Sequence, residues 1–179
     1  MTGNTRIRRT PHTMTRVEIA TGIPIDEFLI ALERAVPEAD LSALQGLVTA
    51  GGTWQDMVRA VDGMAPHGLL RYAKVDATDA MRLAGHSTTT VEYLIGNHVI
   101  AESMFRHDPK AMLYAPLRAL VFADAEGSAV FAIVQPSTVF AGLGIAEVTR
   151  VGHQLDEKVE ALLKAVGVEA EAIFGTDRT

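Results

Sequence analysis

The spacing of apolar residues changes several times along this chain, and each change marks an element. From Met14 to Ala20 apolar and polar residues alternate loosely, the period-two pattern of a strand, closed by Thr21-Gly22. Pro24 suits the start of a helix, where its missing N–H costs nothing. Phe28, Leu29, Leu32 and Val36 then recur at helical spacing until Pro37. A second helix is predicted around Leu41, Leu44, Leu47 and Val48, ending at Gly51-Gly52. Thr53 followed by Asp56 resembles a shortened capping box for a third, with Trp54, Met57, Val58 and Val61 on its buried side. The first third of the chain is therefore expected to be mostly helical.

Strands dominate the middle. After the turn Pro66-His67-Gly68, the segment Leu69 to Asp76 sets Leu69, Arg71, Ala73 and Val75 against Leu70, Tyr72, Lys74 and Asp76. A short helix is predicted from Thr78 to Ala84, and the β-branched run Ser87 to Ile95 reads as a strand. Gly96-Asn97 breaks it, and Asn97 caps a helix from His98 to Arg106. Asp108-Pro109 opens a further short helix holding Met112, Leu113 and Tyr114, and Ala115 before Pro116 is extended. Leu117 to Ala123 and Ala129 to Gln135, joined by Asp-Ala-Glu-Gly-Ser, carry the strongest hairpin signal. Pro136 ends it, and a bend at Gly142 and Gly144 follows. A long last helix lines up Val148, Val151, Leu155, Val159, Leu162 and Val166, with Gly167 as its stop. Thr176 to Thr179 are expected to fray. Interspersed strands and helices with an antiparallel hairpin favour an α+β fold: a small, mostly antiparallel sheet with helices packed on it, a helical N-terminal extension and a long C-terminal helix. Residues 1–13 read as a flexible leader and 14–170 as one domain.

Composition narrows the chemistry. The 179 residues are 48% hydrophobic and 21% charged, ordinary for a globular domain. The absence of cysteine excludes a disulfide scaffold, a thiol nucleophile, a Cys-type zinc site and an iron–sulfur cluster. A net charge of -6 argues against nucleic-acid binding, which needs phosphate-neutralising Lys and Arg. Arg6, Arg8 and Arg9 are basic, but no apolar stretch of secretory length follows Arg8-Arg9, and no window approaches a membrane span. A cytoplasmic location is the expectation.

One segment carries a resemblance. Tyr93-Leu94-Ile95-Gly96-Asn97-His98-Val99-Ile100-Ala101-Glu102 is followed by His107-Asp108-Pro109, then by Met112-Leu113-Tyr114-Ala115-Pro116-Leu117-Arg118 and a strand–turn–strand ending at Gln135-Pro136. This resembles the core of the domain of unknown function 302 family, with a family core of about 69–137 here. The resemblance implies a compact sheet with helices against it and a homodimer, and it implies no activity. Many relatives resemble Gly-Asn-Pro at the turn; here the third residue is His98.

Candidate chemistry centres on the helix after Asn97. At about 100° per residue, His98, Glu102 and Arg106 fall within an ~80° polar stripe, opposite Ile100, Ala101, Met104 and Phe105. His98 and Glu102, four apart, can share one surface, either to orient a general base or to give two ligands to a divalent metal. The plainer alternative is an exposed face with a Glu102–Arg106 ion pair, worth a few tenths of a kcal/mol. His107 lies roughly 180° around from His98 and can join it only if the helix ends first. His86 would sit ~30 Å away along a straight strand. His67 reads as a turn residue and His153 as surface. Six histidines keep non-covalent haem in view, with Met81, Met104, Met112, Phe105 and Phe122 as lining. Tyr114 and Arg118 flank Pro116, and either recognise an anionic ligand or frame a subunit contact. Gly142-Leu143-Gly144 is not a dinucleotide fingerprint, and no Walker, zincin or hydrolase motif is present. The favoured reading is a homodimeric module binding a small molecule or metal. The alternatives are a histidine-dependent enzyme and an assembly protein; in the enzyme His98 is base or ligand, Glu102 orients it, and Arg106 or Arg118 holds an anionic substrate.

Overall fold

The structure, a computed structural model, describes residues 5–170 and 172–175. The expected fraying of Thr176 to Thr179 therefore lies outside the described residues. Five strands form one antiparallel sheet in the order β1 (Arg16–Pro24), β5 (Ser128–Val134), β4 (Leu117–Ala123), β3 (Thr90–Gly96) and β2 (Leu70–Asp76). The hairpin β4–β5 closes at Gly127, whose φ of +84° a side chain would resist. The remaining elements are α1 (Ile25–Ala35), α2 (Leu41–Thr49), α3 (Trp54–Met64), the five-residue α4 (Thr78–Arg82), α5 (His98–Phe105), a 3-10 turn over Pro109–Leu113, α6 (Pro136–Ala141) and α7 (Ala146–Ala165). The α+β expectation holds, including the long C-terminal helix.

The caps explain where the helices start. Thr53 and Asp56 complete a reciprocal capping box on α3, as their spacing predicts. Asn97 accepts from Val99 N at 2.7 Å and Ile100 N at 3.2 Å, satisfying two otherwise unpaired donors of α5. Gly167, at φ +93°, ends α7 by letting Val168 N reach Leu163 O at 3.0 Å. Pro136 ends β5 but also begins α6, an element the sequence pattern reads only as a bend.

Alternation along the strands gives the sheet two unlike faces. Val91, Tyr93, Ile95, Ala119, Val121, Phe131 and Ile133 are buried beneath α1 and α7, whose Phe28, Leu32, Val148, Leu155, Val159 and Leu162 complete the main core. Each Val, Leu, Ile or Phe among them, fully buried, stabilises by about 1.5–3 kcal/mol. A smaller cluster of Ala39, Leu44, Val61 and Leu70 seats α2 and α3 beside the end of β2. Trp54, expected on the buried side of α3, is 45% exposed, because only Val61 of that stripe reaches the cluster fully. Polar groups tie the layers. Tyr93 donates to Glu33 Oε1 at 2.7 Å, and Lys74 reaches the same oxygen at 2.6 Å. Burial opposes the Glu33 charge, but these hydrogen bonds prevail and hold its carboxyl below the ordinary range. Buried Asp156 on α7 accepts from Ser137 N at 2.9 Å and Gln135 Nε2 at 3.1 Å, fixing α6.

Candidate functional site

At the end of the sheet where β2 and β4 begin and β3 finishes, α5 leaves a cavity of about 180 Å³. Its wall is mostly apolar: Ile100, Ala101 and Met104 from α5, Met112 from the 3-10 turn, Pro116 just before β4 and Leu117 at its start, and Phe140 and Leu155 from below. Three polar residues, Tyr72, Asn97 and His98, line it. This is larger than the ~150 Å³ apolar cavity that holds benzene and smaller than the ~300–1,000 Å³ of drug-sized sites.

Local sequence builds the polar corner. The register of β2 on β3 shifts between Arg71 and Ala73, a bulge that re-aims Tyr72 from the strand alternation. Gly96 makes room for it, since a Cβ there would lie 3.3 Å from Pro116 Cβ and 3.5 Å from Tyr72 Cε2. Asn97 ties the start of α5 to the turn before β2 by donating to Gly68 O at 3.0 Å. His98, the first residue of the helix, is thereby held with its Nδ1 2.7 Å from the Tyr72 hydroxyl, the rings tilted 58° with centroids 5.2 Å apart.

Electrostatics decide the roles in this pair. Burial lowers the His98 pKa below its ordinary 6.5, so the ring is neutral at pH 7. Burial pushes the Tyr72 phenol up to about 12, so it keeps its proton. The contact pairs one donor with one acceptor: with the phenol donating to Nδ1, the imidazole proton sits on Nε2. Nε2 makes no hydrogen bond to the described residues. In that tautomer the corner offers a donor to a guest, and a general base at Nε2 would need the other one.

The remaining sequence candidates fall elsewhere. Glu102 pairs with Arg106, whose Nε is 3.2 Å from Glu102 Oε1, and it does not line the cavity. No hydrogen bond links Glu102 to His98 among the described residues. α5 does end before His107, at Phe105, but His107 is exposed and outside the cavity. Among the described residues no three His, Asp or Glu side chains cluster as a metal site would require. Of the residues expected around a haem, Met104 and Met112 line the cavity, while Met81 and Phe105 are 45% and 51% exposed and Phe122 lies on the far side of the sheet. The cavity is also below the size of sites that take drug-sized ligands. Tyr114 packs edge-on against Phe140 at 6.3 Å and His12 at 5.8 Å, which anchors the segment before β1. Arg118 is on the opposite sheet face, 3.7 Å from Glu92. Tyr72 is the residue the sequence reading missed: its role comes from a bulge that leaves no spacing signal, though Gly96 beside a helix cap hints at a close approach.

An antiparallel sheet covered by helices on one face, with a small apolar cavity at its end, defines the class as a compact α+β domain. The chain belongs to the family described as Domain of unknown function DUF302, whose model matches residues 49–166. A crystal structure of an uncharacterized conserved DUF302 protein from Bacillus stearothermophilus is similar in fold, at 14% identity and a TM-score of 0.58, covering 86% of this chain and 97% of that one. Comparison with curated proteins finds no match. No helix among the described residues is long and apolar enough to cross a membrane.

Proposed function

We propose that this protein binds a small, largely apolar molecule bearing one neutral hydrogen-bond acceptor, seated against Ala101 and Met104 with its acceptor on His98 Nε2–H. It works as a homodimer. The observation that carries the reading is the Tyr72–His98 pair at 2.7 Å on the wall of an otherwise apolar cavity. A hydroxyl that fixes the imidazole tautomer turns a titratable group into an oriented donor. The small volume selects a guest about the size of a single aromatic ring. A neutral imidazole favours an amide or carbonyl over a carboxylate, which would lose its hydration without gaining an opposite charge. The same tautomer supports binding over base catalysis, and the Glu102–Arg106 pair takes the carboxylate away from His98.

A melting screen with benzamide, phenol and benzoate tests this. Benzamide is expected to raise the melting temperature in proportion to ln(1 + [L]/Kd), and benzoate to raise it less. His98→Leu, which keeps the bulk and removes the donor, should abolish the benzamide shift. A shift of equal size in His98→Leu, or a larger response to benzoate, would overturn the assignment.

A further inference from the structure

The cavity is most open at the 3-10 turn. Among its lining residues Met112 alone stands largely in solvent, at 43% exposure, whereas Phe140 and Leu155 are buried and close the floor. The next residue, Leu113, is 78% exposed. Phe105, the last residue of α5, is half-exposed. It lies nearly two turns beyond His98 and so almost above it, about 10 Å along the helix axis. Asp108 N donates to Met104 O at 3.1 Å, which folds the chain back and packs the 3-10 turn against α5. Single exposed apolar residues are ordinary, but a run of them continuous with a cavity marks a binding groove.

We infer that the guest carries an unbranched, uncharged alkyl chain, which leaves the cavity past Met112 and lies over Leu113 and Phe105. The inference rests on the reading above and extends the same guest: a neutral amide or carbonyl head on His98, a ring-sized middle, and a tail. Volume supports it. About 180 Å³ is filled by the head and one ring, so a longer molecule must emerge where the wall is open. Charge sets the chemistry of the tail. Arg106 pairs with Glu102 and Lys110 with Asp108, so an ionised tail would find both of these cations already neutralised. An alkyl tail needs no such partner, and it takes the exposed surface of Leu113 and Phe105 out of water.

Calorimetric titration of the full chain with benzamide and with para-butylbenzamide tests the tail. A buried methylene is worth about fourfold in affinity, and a lip that covers one side of the chain supplies about half of that free energy. The butyl group should therefore tighten binding on the order of 15-fold. Leu113→Ser and Phe105→Ser, both on the surface, should each remove part of this gain and together most of it. The benzamide affinity and the far-UV spectrum should stay those of the wild type. If the double variant fails to fold, Leu113→Ser, the more exposed of the two, carries the test alone. Benzamide that binds without any gain from the butyl group overturns the tail and leaves the cavity reading standing. A gain that persists at full size in the variants also overturns it, by placing the tail elsewhere. Binding of neither amide overturns the cavity reading, and the tail with it.

Discussion

Filling the cavity from its own wall separates a binding site from a packing defect. Ala101 sits in the middle of α5 with its side chain on the cavity. A leucine there points back toward the N-terminus of the helix, toward His98 and the open volume. Leu and Ala differ little in helix propensity, so the backbone contributes almost nothing. The three added carbons, at ~0.8 kcal/mol each, set a ceiling of about 2.4 kcal/mol. Ordering the leucine opposes this by about 0.5–1 kcal/mol, leaving a net gain of about 1.5 kcal/mol. At about 2–4 °C per kcal/mol for a chain of this size, Ala101→Leu should melt about 3–6 °C higher. Urea unfolding should show a raised midpoint with an unchanged slope. The benzamide shift of the wild type should vanish, because the guest and the new side chain compete for one space. A variant destabilised by more than about 1 kcal/mol would show that the volume cannot take a side chain without overpacking. A stabilised variant that still responds to benzamide would place binding elsewhere.

Three other outcomes follow from the same geometry. Tyr72→Phe strands His98 Nδ1 without its donor and should cost about 1–3 kcal/mol in urea unfolding. Stability should also depend on pH through His98. Its folded pKa lies below 6.5, so the contribution is complete above pH 6.5, where both states are neutral. As pH falls the unfolded chain takes the proton first, and stability is lost until the folded pKa is passed; the urea midpoint should drop more steeply below pH 6.5 in the wild type than in His98→Leu. Gly152→Ala should destabilise by about 1–3 kcal/mol in thermal melts, because its Cβ would lie 2.9 Å from Ser137 Cα and 3.3 Å from Pro136 O, where α6 crosses α7.

Local signals carried most of the fold and half of the site. The Thr53–Asp56 box, the Asn97 cap, the β4–β5 hairpin and the apolar stripe of α7 are encoded within a few residues, so spacing alone reveals them. His98 was legible for the same reason, as the residue after a cap. Its partner was not. Glu102 is the neighbour that helical spacing offers, but Arg106 lies one turn further on and takes it. Tyr72 comes from a strand 26 residues earlier, turned by a bulge whose cause is tertiary. Phe105 was expected in the core with Met104, but α5 ends at Phe105 and the ring is half-exposed. α6 was hidden because Pro136 both stops a strand and starts a helix, and only the second role needs the Asp156 carboxylate from α7.

A guest inside the cavity meets His98 at Nε2–H, and ring-selective NMR reads that contact directly. In a sample labelled at histidine, titration with benzamide should move the His98 ring signals alone among the six histidines, saturate, and leave Tyr72→Phe with a weaker response. Signals of His98 that stay fixed while those of other histidines move, or that respond equally in Ala101→Leu, would contradict it.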